Sequence, residues 1–71
     1  MSPEALLNQL SKRERQVISL VFEGKTSKEV GKELFVSRRT VEFHLANVYE
    51  KLQVKSRFQA FRMLAPALSS R

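Results

Sequence analysis

The amino-acid sequence predicts an all-α fold, in which four helices form one compact domain. Apolar residues recur at helical spacing, β-branched residues do not alternate with polar ones, and the 71 residues include only two Gly and two Pro. A chain of this length can bury only one small core. The sequence contains no Cys, which excludes a disulfide framework and a thiolate zinc site. We therefore expect helix packing to stabilise the fold.

The predicted domain covers residues 10–68, and residues 1–9 precede it as a linker or a short helix. The segment Ser2-Pro3-Glu4 is typical of a helix start, because it offers a hydroxyl cap, a Pro at the first helical position and an acid in the first turn. The leucines that follow could cover the core or contact another domain upstream. The sequence leaves both alternatives open.

The first helix of this domain is predicted over about residues 12–23. Ser11 and Glu14 have the spacing of a capping box, in which each side chain accepts a hydrogen bond from the backbone N–H of the other residue. Gly24 stands where a left-handed residue commonly ends a helix. The predicted inner face consists of Glu14, Val17, Ile18, Val21 and Phe22.

A second capping box, Thr26 with Glu29, predicts a short helix in which Val30 and Leu34 face inward. Gly31 lies between them and lowers helix stability by about 1 kcal/mol relative to Ala. We attribute this glycine to the close approach of another helix, at a position where a larger side chain would hold the two apart.

Two longer helices complete the predicted domain. The third, over about residues 38–52, follows its N-cap Ser37 with almost no linker, and the last is capped by Ser56. The inner stripe of the third consists of Val41, Leu45, Val48 and Leu52. The inner side of the last is predicted to consist of Arg57, Ala60, Phe61, Leu64 and Leu68, which leaves Phe58, Gln59 and Arg62 outside.

The second and third helices form a predicted helix-turn-helix, because two short capped helices are joined by a tight turn and the later one begins with basic residues. In such an arrangement the later helix enters the major groove of DNA. Helix starts also attract anions, through their free N–H groups and the helix dipole. Three helix starts here carry cations or hydroxyls, and with Lys51 they give the candidate DNA phosphate-binding residues: Lys28, Ser37, Arg38, Arg39, Thr40, Lys51, Lys55, Ser56 and Arg57.

The charge distribution also favours nucleic acid as a partner. Thirteen Lys and Arg against seven Glu give a net charge of +6 at pH 7, and residues 36–71 account for +5 of it. A localised basic surface is typical of a nucleic-acid footprint, although a basic membrane-surface segment would have the same sign.

The sequence resembles the LuxR/GerE-type helix-turn-helix domain, also called NarL/FixJ-type, over roughly residues 10–65. The stretches that carry the resemblance are Leu10–Val17, Gly24–Val30, Glu33–Val41, His44, Asn47–Tyr49, Lys51–Leu52 and Val54–Arg57. The resemblance implies sequence-specific binding to double-stranded DNA by a bacterial transcription regulator, with the helix of about residues 38–52 in the major groove. The chain would be the effector domain of a longer regulator or a freestanding member.

The resemblance also implies roles for individual residues. It places the DNA base contacts on Glu42, Phe43, Ala46 and Asn47. It further implies that the last helix can pair two copies. Because Phe58 lies outside the core face, we expect a homodimer on DNA with Phe58, Gln59 and Arg62 as the candidate interface, although these residues could also be ordinary exposed surface.

Three residues depart from the commonest pattern of this family. Glu42 can accept only from exocyclic amines, so its expected target is cytosine N4 or adenine N6, whereas Phe43 suits a thymine methyl group. Gln53 replaces the usual Gly, and we expect it to adopt left-handed geometry at a cost of about 1 kcal/mol.

Other interpretations of the same residues stay open. A polymerase-contact module similar to a sigma-factor region would have similar helices, so RNA polymerase is a further candidate partner. A protein-interaction domain would use Phe43 and Phe58 as anchors. Glu14 and Arg57 could form an ion pair between helices, and we expect His44 to pack beside the core stripe or to hydrogen-bond rather than to bind a metal.

We expect no enzymatic activity, no metal site and no cofactor. The sequence has no Asp, a single His and no Gly-rich phosphate loop. Its longest mainly apolar stretch, Val17–Phe22, is far shorter than the ~20 residues that span a bilayer, and no secretory signal pattern follows Met1. We therefore expect a cytoplasmic location and no membrane partner.

Overall fold

The computed structural model describes residues 2–69, and the side chains of residues 2–67. Residues 2–69 form five helices and no strand, which confirms the all-α fold. The helices are α1 (Pro3–Asn8), α2 (Lys12–Phe22), α3 (Ser27–Leu34), α4 (Arg38–Leu52) and α5 (Arg57–Ser69). The four predicted helices correspond to α2 through α5. Within this part of the chain, no helix combines the length and the apolar character that a membrane crossing requires.

The additional helix, α1, covers one side of the core. Ser2 caps it, since the Ser2 Oγ accepts a hydrogen bond of 3.1 Å from the backbone N–H of Ala5. Leu6 and Leu7 pack against the core, and Leu10, just after the helix, is buried. Because α1 contacts α5, its leucines have a partner within this chain.

Both predicted capping boxes are present. In α2, the Ser11 N–H donates to Glu14 Oε1 at 2.9 Å and the Glu14 N–H donates to Ser11 Oγ at 3.1 Å. In α3, the corresponding distances between Thr26 and Glu29 are 2.8 and 3.2 Å. Each box satisfies two backbone N–H groups that a helix start otherwise leaves without partners.

The core consists of two clusters, and α4 contributes to both. The supporting cluster consists of Leu10, Ile18, Val48, Leu52, Ala60 and Leu64. The helix-turn-helix cluster consists of Val17, Val21, Val30 and Val41. The predicted inner stripe of α4 is therefore divided between them, and Leu45 packs against both clusters. In consequence the first half of α4 packs against α2 and α3, and the second half packs against α2 and α5.

Gly31 lies where the chain approaches α3 most closely. A Cβ atom at this position would lie 2.7 Å from the carbonyl oxygen of Val36 and 3.4 Å from the carbonyl carbon of Ser37. The neighbours are thus the turn that leads into α4 and the first residue of α4, since the Arg38 N atom would lie 3.5 Å from this Cβ. The predicted close approach of another helix occurs at the start of that helix. The Val36 N–H also donates to the Gly31 carbonyl oxygen at 2.9 Å. The absence of a side chain therefore sets the distance between α3 and the start of α4.

Each of the helices α2, α3 and α4 is followed by a residue with positive φ. Gly24 after α2 has a φ of 98° and Gln53 after α4 has a φ of 59°, as predicted. Phe35 after α3 has a φ of 60°, for which the sequence analysis gives no indication. The sequence does contain an indication of this left-handed residue. Only three residues separate Leu34 from Arg38, so α3 must end abruptly. Left-handed geometry costs a non-Gly residue about 1 kcal/mol.

The packed face of α5 is narrower than predicted. Ala60 and Leu64 are fully buried, but Phe61 is 45% exposed because it lies at the edge of this face. There its ring contacts the Phe22 ring edge to face, with 5.0 Å between the centroids. The Leu68 side chain, predicted on the same face, lies outside the described residues.

Candidate nucleic-acid interface

Helices α3 and α4 form a helix-turn-helix whose turn consists of residues 35–37. Phe35 ends α3 in left-handed geometry, and Ser37 caps α4 by accepting a 3.1 Å hydrogen bond from the Thr40 N–H. The hydroxyl oxygens of Ser37 and Thr40 are 3.0 Å apart and hydrogen-bonded. Ser37 is exposed and Thr40 is half-buried. The start of α4 is therefore fixed against α3 and still open to solvent.

One side of α4 faces solvent and carries side chains of several chemical kinds. The outer surface of α4 consists of Arg38, Arg39, Glu42, Phe43 and Ala46. Phe43 is 64% exposed, and its ring centroid lies 6.1 Å from that of the half-buried His44. Asn47, a predicted base contact, is half-buried at the edge of this surface. The four predicted base contacts thus lie together on or beside one accessible helix surface.

Arg38 and Glu42 form an ion pair on the outer surface of α4. The Arg38 Nε donates to Glu42 Oε2 at 3.2 Å, and the two side chains are 71% and 53% exposed. The roles predicted for these two residues from the sequence are separate and do not include the pair. Their spacing could have indicated it, because residues four apart on a helix are neighbours.

The other two helix starts also expose predicted phosphate-binding residues. Lys28 lies in the first turn of α3, and Lys55 and Arg57 flank Ser56 at the start of α5. All four residues are exposed, so Arg57 does not belong to the buried side of α5 on which the sequence analysis placed it. As the first residue of α5, Arg57 precedes the turn whose Ala60 reaches the core.

Lys51, at the other end of α4, has a different environment. Its Nζ donates to Glu14 Oε1 at 2.7 Å, and Glu14 is only 5% exposed. The sequence left open an ion pair between Glu14 and Arg57. The structure instead pairs Glu14 with Lys51, because α4 packs along α2. This predicted phosphate-binding residue therefore already has a partner in α2, although its own side chain is 41% exposed.

The surroundings of Glu14 keep its carboxyl group charged. Burial by itself raises the pKa of Glu14, but the hydrogen bonds from Lys51 and from the Ser11 N–H outweigh burial and hold the pKa below its ordinary value of 4.5. Arg57 acts on a different group: burial raises the pKa of Tyr49 above 10.0, although the positive charge of Arg57 opposes this rise. At neutral pH Glu14 is thus ionised and Tyr49 is a neutral hydroxyl.

The predicted dimer residues lie close together near the start of α5. Phe58 is 68% exposed, and the Arg62 guanidinium carbon lies 5.9 Å from its ring centroid, within the range of a cation–π contact. Gln59 has an internal role, since its Oε1 accepts a 2.8 Å hydrogen bond from the Lys55 N–H. The backbone N–H of Gln59 donates to Ser56 Oγ at 3.3 Å. Gln59 therefore helps to cap α5 while remaining exposed.

Sequence comparison shows that this chain has many relatives among known proteins. The sequence model of the family described as "Bacterial regulatory proteins, luxR family" (GerE) matches residues 8–64, most of the chain. The spore germination protein GerE of Bacillus subtilis is 51% identical over 51 residues, which cover 72% of this chain and 69% of GerE.

Longer relatives share the same region. The transcriptional regulatory protein LiaR of Bacillus subtilis is 49% identical over 51 residues, which cover 72% of this chain but 24% of LiaR. The uncharacterized response regulatory protein YgeK of Escherichia coli is 47% identical over 49 residues, which cover 69% of this chain and 33% of YgeK. The chain thus corresponds to about a quarter of LiaR and a third of YgeK.

Proposed function

Because the chain belongs to the luxR family of bacterial regulatory proteins, whose helix-turn-helix domains bind DNA in transcription regulators, we propose that it binds double-stranded DNA sequence-specifically. Residues 10–68 form the binding domain, and α4 is the recognition helix, which lies in the major groove. The placement of α4 in the fold carries this proposal. The helix follows a tight turn, its inner side is buried in both core clusters, and its outer surface is exposed.

In this proposal, groups at three helix starts contact the phosphates. Helix starts favour anions, and exposed cations beside them add charge attraction. The residues assigned to phosphates are Lys28, Ser37, Arg39, Thr40, Lys55, Ser56 and Arg57. Lys51 contributes less to DNA affinity, because its ammonium group already donates to Glu14. Arg38 is likewise paired, with Glu42.

Side chains on and beside the outer surface of α4 contact the base edges. Phe43 is exposed and apolar, so it suits a thymine methyl group, which is the apolar feature of the major groove. Ala46 is small and exposed, and it lets the helix approach the bases closely. Asn47 at the edge can both donate to and accept from adenine.

A binding experiment tests the proposed function. A random duplex library is titrated with the protein, and the affinity is measured against salt concentration. We expect a preferred sequence and an affinity that falls steeply with salt, since each neutralised phosphate releases counterions. Lys55→Ala should reduce the slope of log affinity against log salt by about 1. The matched control is Lys12→Ala, which removes an exposed lysine of α2 and should leave the slope unchanged. The absence of both sequence preference and salt dependence would rule out the proposed function.

We further propose that two copies pair through α5 when they bind DNA. Phe58 supports this proposal, since an exposed ring stacked with Arg62 offers apolar area and charge at one place. Analytical ultracentrifugation on duplexes with one or two half-sites should show two copies on the longer duplex, and Phe58→Ala should weaken their cooperative binding. Independent occupation of each half-site at every concentration would refute the dimer.

RNA polymerase is a further proposed partner. A transcription regulator changes what polymerase does at a promoter, and the relatives of this chain include LiaR, a transcriptional regulatory protein. Core polymerase added to the protein on its selected duplex should form a ternary complex in a gel-shift assay. If no such complex forms at any polymerase concentration, polymerase contact is not a property of this domain.

A further inference from the structure

The ion pair on the outer surface of α4 changes what each of its members can offer to DNA. Arg38 is the first residue of α4, and its Nε donates to Glu42 Oε2 at 3.2 Å. Both residues lie on the helix surface that also carries Phe43 and Ala46. N-terminal residues of a recognition helix are the ones that reach base edges. The pair therefore lies where bases are read.

The charge of the pair argues against a phosphate contact for Arg38. Phosphate contacts gain affinity from a cation that replaces condensed counterions. Arg38 and Glu42 together have no net charge, so a phosphate near the guanidinium would also be near a carboxylate. The neighbouring Arg39 is exposed, and the Glu42 carboxylate three positions ahead of it pairs with Arg38 instead. Arg39 is thus the better phosphate contact of the two arginines.

The hydrogen-bonding capacity of the pair favours a base contact instead. A guanidinium group has five N–H donors in one plane, and Glu42 takes only the one on Nε. The donors on the two terminal nitrogens stay available. Guanine presents two acceptors in the major groove, O6 and N7, and bidentate donation from Arg to these atoms is the commonest specific contact with DNA.

We propose that Arg38 reads a guanine in the major groove and that Glu42 is a positioning residue for its guanidinium. This inference rests on the proposed function. It assigns Arg38 to a base rather than to a phosphate, and it assigns Glu42 to Arg38 rather than to cytosine or adenine. The contact with Glu42 restricts the arginine before DNA arrives, which reduces the entropy that binding must remove.

The first test compares duplexes that differ at one guanine. The full chain is used to select its preferred duplex, and each guanine in turn is replaced by 7-deazaguanine, which lacks the N7 acceptor. At one position, the replacement should weaken binding of the original protein by about 5- to 100-fold and leave the binding of Arg38→Ala unchanged. Equal sensitivity of both proteins to every replacement would overturn the proposal.

A second variant separates base reading from charge. Arg38→Lys keeps the positive charge but removes the planar fork of donors, so guanine preference should be lost at the same position. A uniform loss for Arg38→Ala on all duplexes, with a salt slope reduced by about 1 and full rescue by Arg38→Lys, would identify a phosphate contact and overturn the proposal. Arg39→Ala, which should show that uniform loss, is the matched control.

The role of Glu42 is tested by its coupling to Arg38. Glu42→Ala should reduce guanine preference at the same position, and the double variant should lose no more than Arg38→Ala alone, since the carboxylate acts only through the arginine. An independent loss at a different base pair, added to that of Arg38→Ala, would show that Glu42 reads a base itself and would overturn its assignment. A protein with neither sequence preference nor salt dependence would instead contradict the proposed function as a whole.

Discussion

The two ends of α4 carry ion pairs of similar chemistry in opposite surroundings. At the C-terminal end, Lys51 donates to Glu14, a buried carboxylate that lies 37 positions away in the sequence and belongs to α2. At the N-terminal end, Arg38 donates to Glu42 on the same helix, and both side chains are mostly exposed. The first pair joins two helices, whereas the second lies within about one helical turn.

The two pairs differ in their exposure to solvent, and this difference determines how much each one contributes to stability. Water competes for the members of an exposed pair and screens their attraction, so such pairs contribute about 0–1 kcal/mol to stability. A buried carboxylate has no water to replace a lost partner, so the loss of that partner costs more. The C-terminal end of α4 therefore stabilises the fold, and the N-terminal end keeps its charged groups available for a ligand.

Removing Lys51 should have the largest effect on stability. Lys51→Met keeps the apolar stem of the side chain but leaves the Glu14 carboxylate with the Ser11 N–H as its remaining partner. We expect the free energy of unfolding to fall by about 2 kcal/mol at pH 7, measured by urea titration. This is less than the ~3–5 kcal/mol typical of a fully buried pair, because the Lys51 side chain is 41% exposed.

Lys55→Met is the matched control for this substitution. Lys55 is an exposed lysine just after α4, and its removal should change the free energy of unfolding by less than about 0.5 kcal/mol. Lys51→Met should also retain the sequence preference on DNA, whereas substitutions at Arg38 should change it. Equal stability losses in the two lysine variants would mean that the contact with Glu14 does not stabilise the fold.

Gly31→Ala should have the next largest effect, and it acts on the N-terminal end. The added Cβ would lie 2.7 Å from the Val36 carbonyl oxygen, so the turn before α4 must shift. Overpacking costs about 1–3 kcal/mol, and the better helix propensity of Ala returns about 1 kcal/mol, so we expect a net loss of up to about 2 kcal/mol. DNA affinity should fall as well, because the start of α4 moves.

The control for this variant is Gly24→Ala. A Cβ at Gly24 meets no atom within 4 Å, but the φ of 98° strains any residue with a side chain. Thermal unfolding should therefore show a loss of stability without a change in DNA affinity. If both glycine variants reduce DNA affinity equally, the position of the turn before α4 does not determine that affinity.

Acid should weaken the C-terminal end of α4 through Glu14. The pKa of Glu14 lies below its ordinary value of 4.5, so the unfolded chain binds more protons than the folded one as the pH falls through this range. The stabilisation from Glu14 is complete above pH 4.5 and decreases as the pH falls through the folded pKa. Because burial offsets part of the hydrogen bonding, this loss should be smaller than that in Lys51→Met.

Urea titrations between pH 3 and 7 measure this dependence. Glu14→Gln removes the titrating group, so its stability should be lower at pH 7 and should approach that of the original protein in acid. Glu29 also has a lowered pKa, owing to its hydrogen bonds with Thr26, but it is present in both proteins and cancels in the comparison. A constant difference across the pH range would contradict the prediction for Glu14.

The sequence predicted the helices well because their signals are local. Ser11, Thr26 and Ser37 each precede a helix, and a cap is recognised from residues three positions apart. The partner of Glu14 could not be predicted in this way, since Lys51 lies 37 positions away and only the packing of α4 on α2 brings it near.

The candidate site was predictable in its residue types but not in its pairings. An arginine at a helix start suggests a phosphate contact when it is considered alone. Its actual environment depends on the conformation of a long exposed side chain, and here that side chain reaches Glu42 one turn ahead. Residue type therefore predicted candidate contacts, while the structure shows which of their charged groups already have a partner within the protein.

The smallest expected effect on stability belongs to the exposed pair itself. Arg38→Ala removes a contact between residues four apart, which is worth about 0.3–0.5 kcal/mol on a helix surface. It also removes a positive charge from the first residue of α4, where the helix dipole disfavours cations by a similar amount. We therefore expect the free energy of unfolding to change by less than about 0.5 kcal/mol, while DNA recognition changes substantially. A stability loss near that of Lys51→Met, measured in the same urea titration, would mean that the N-terminal pair also holds the fold, and the contrast between the two ends of α4 would fail.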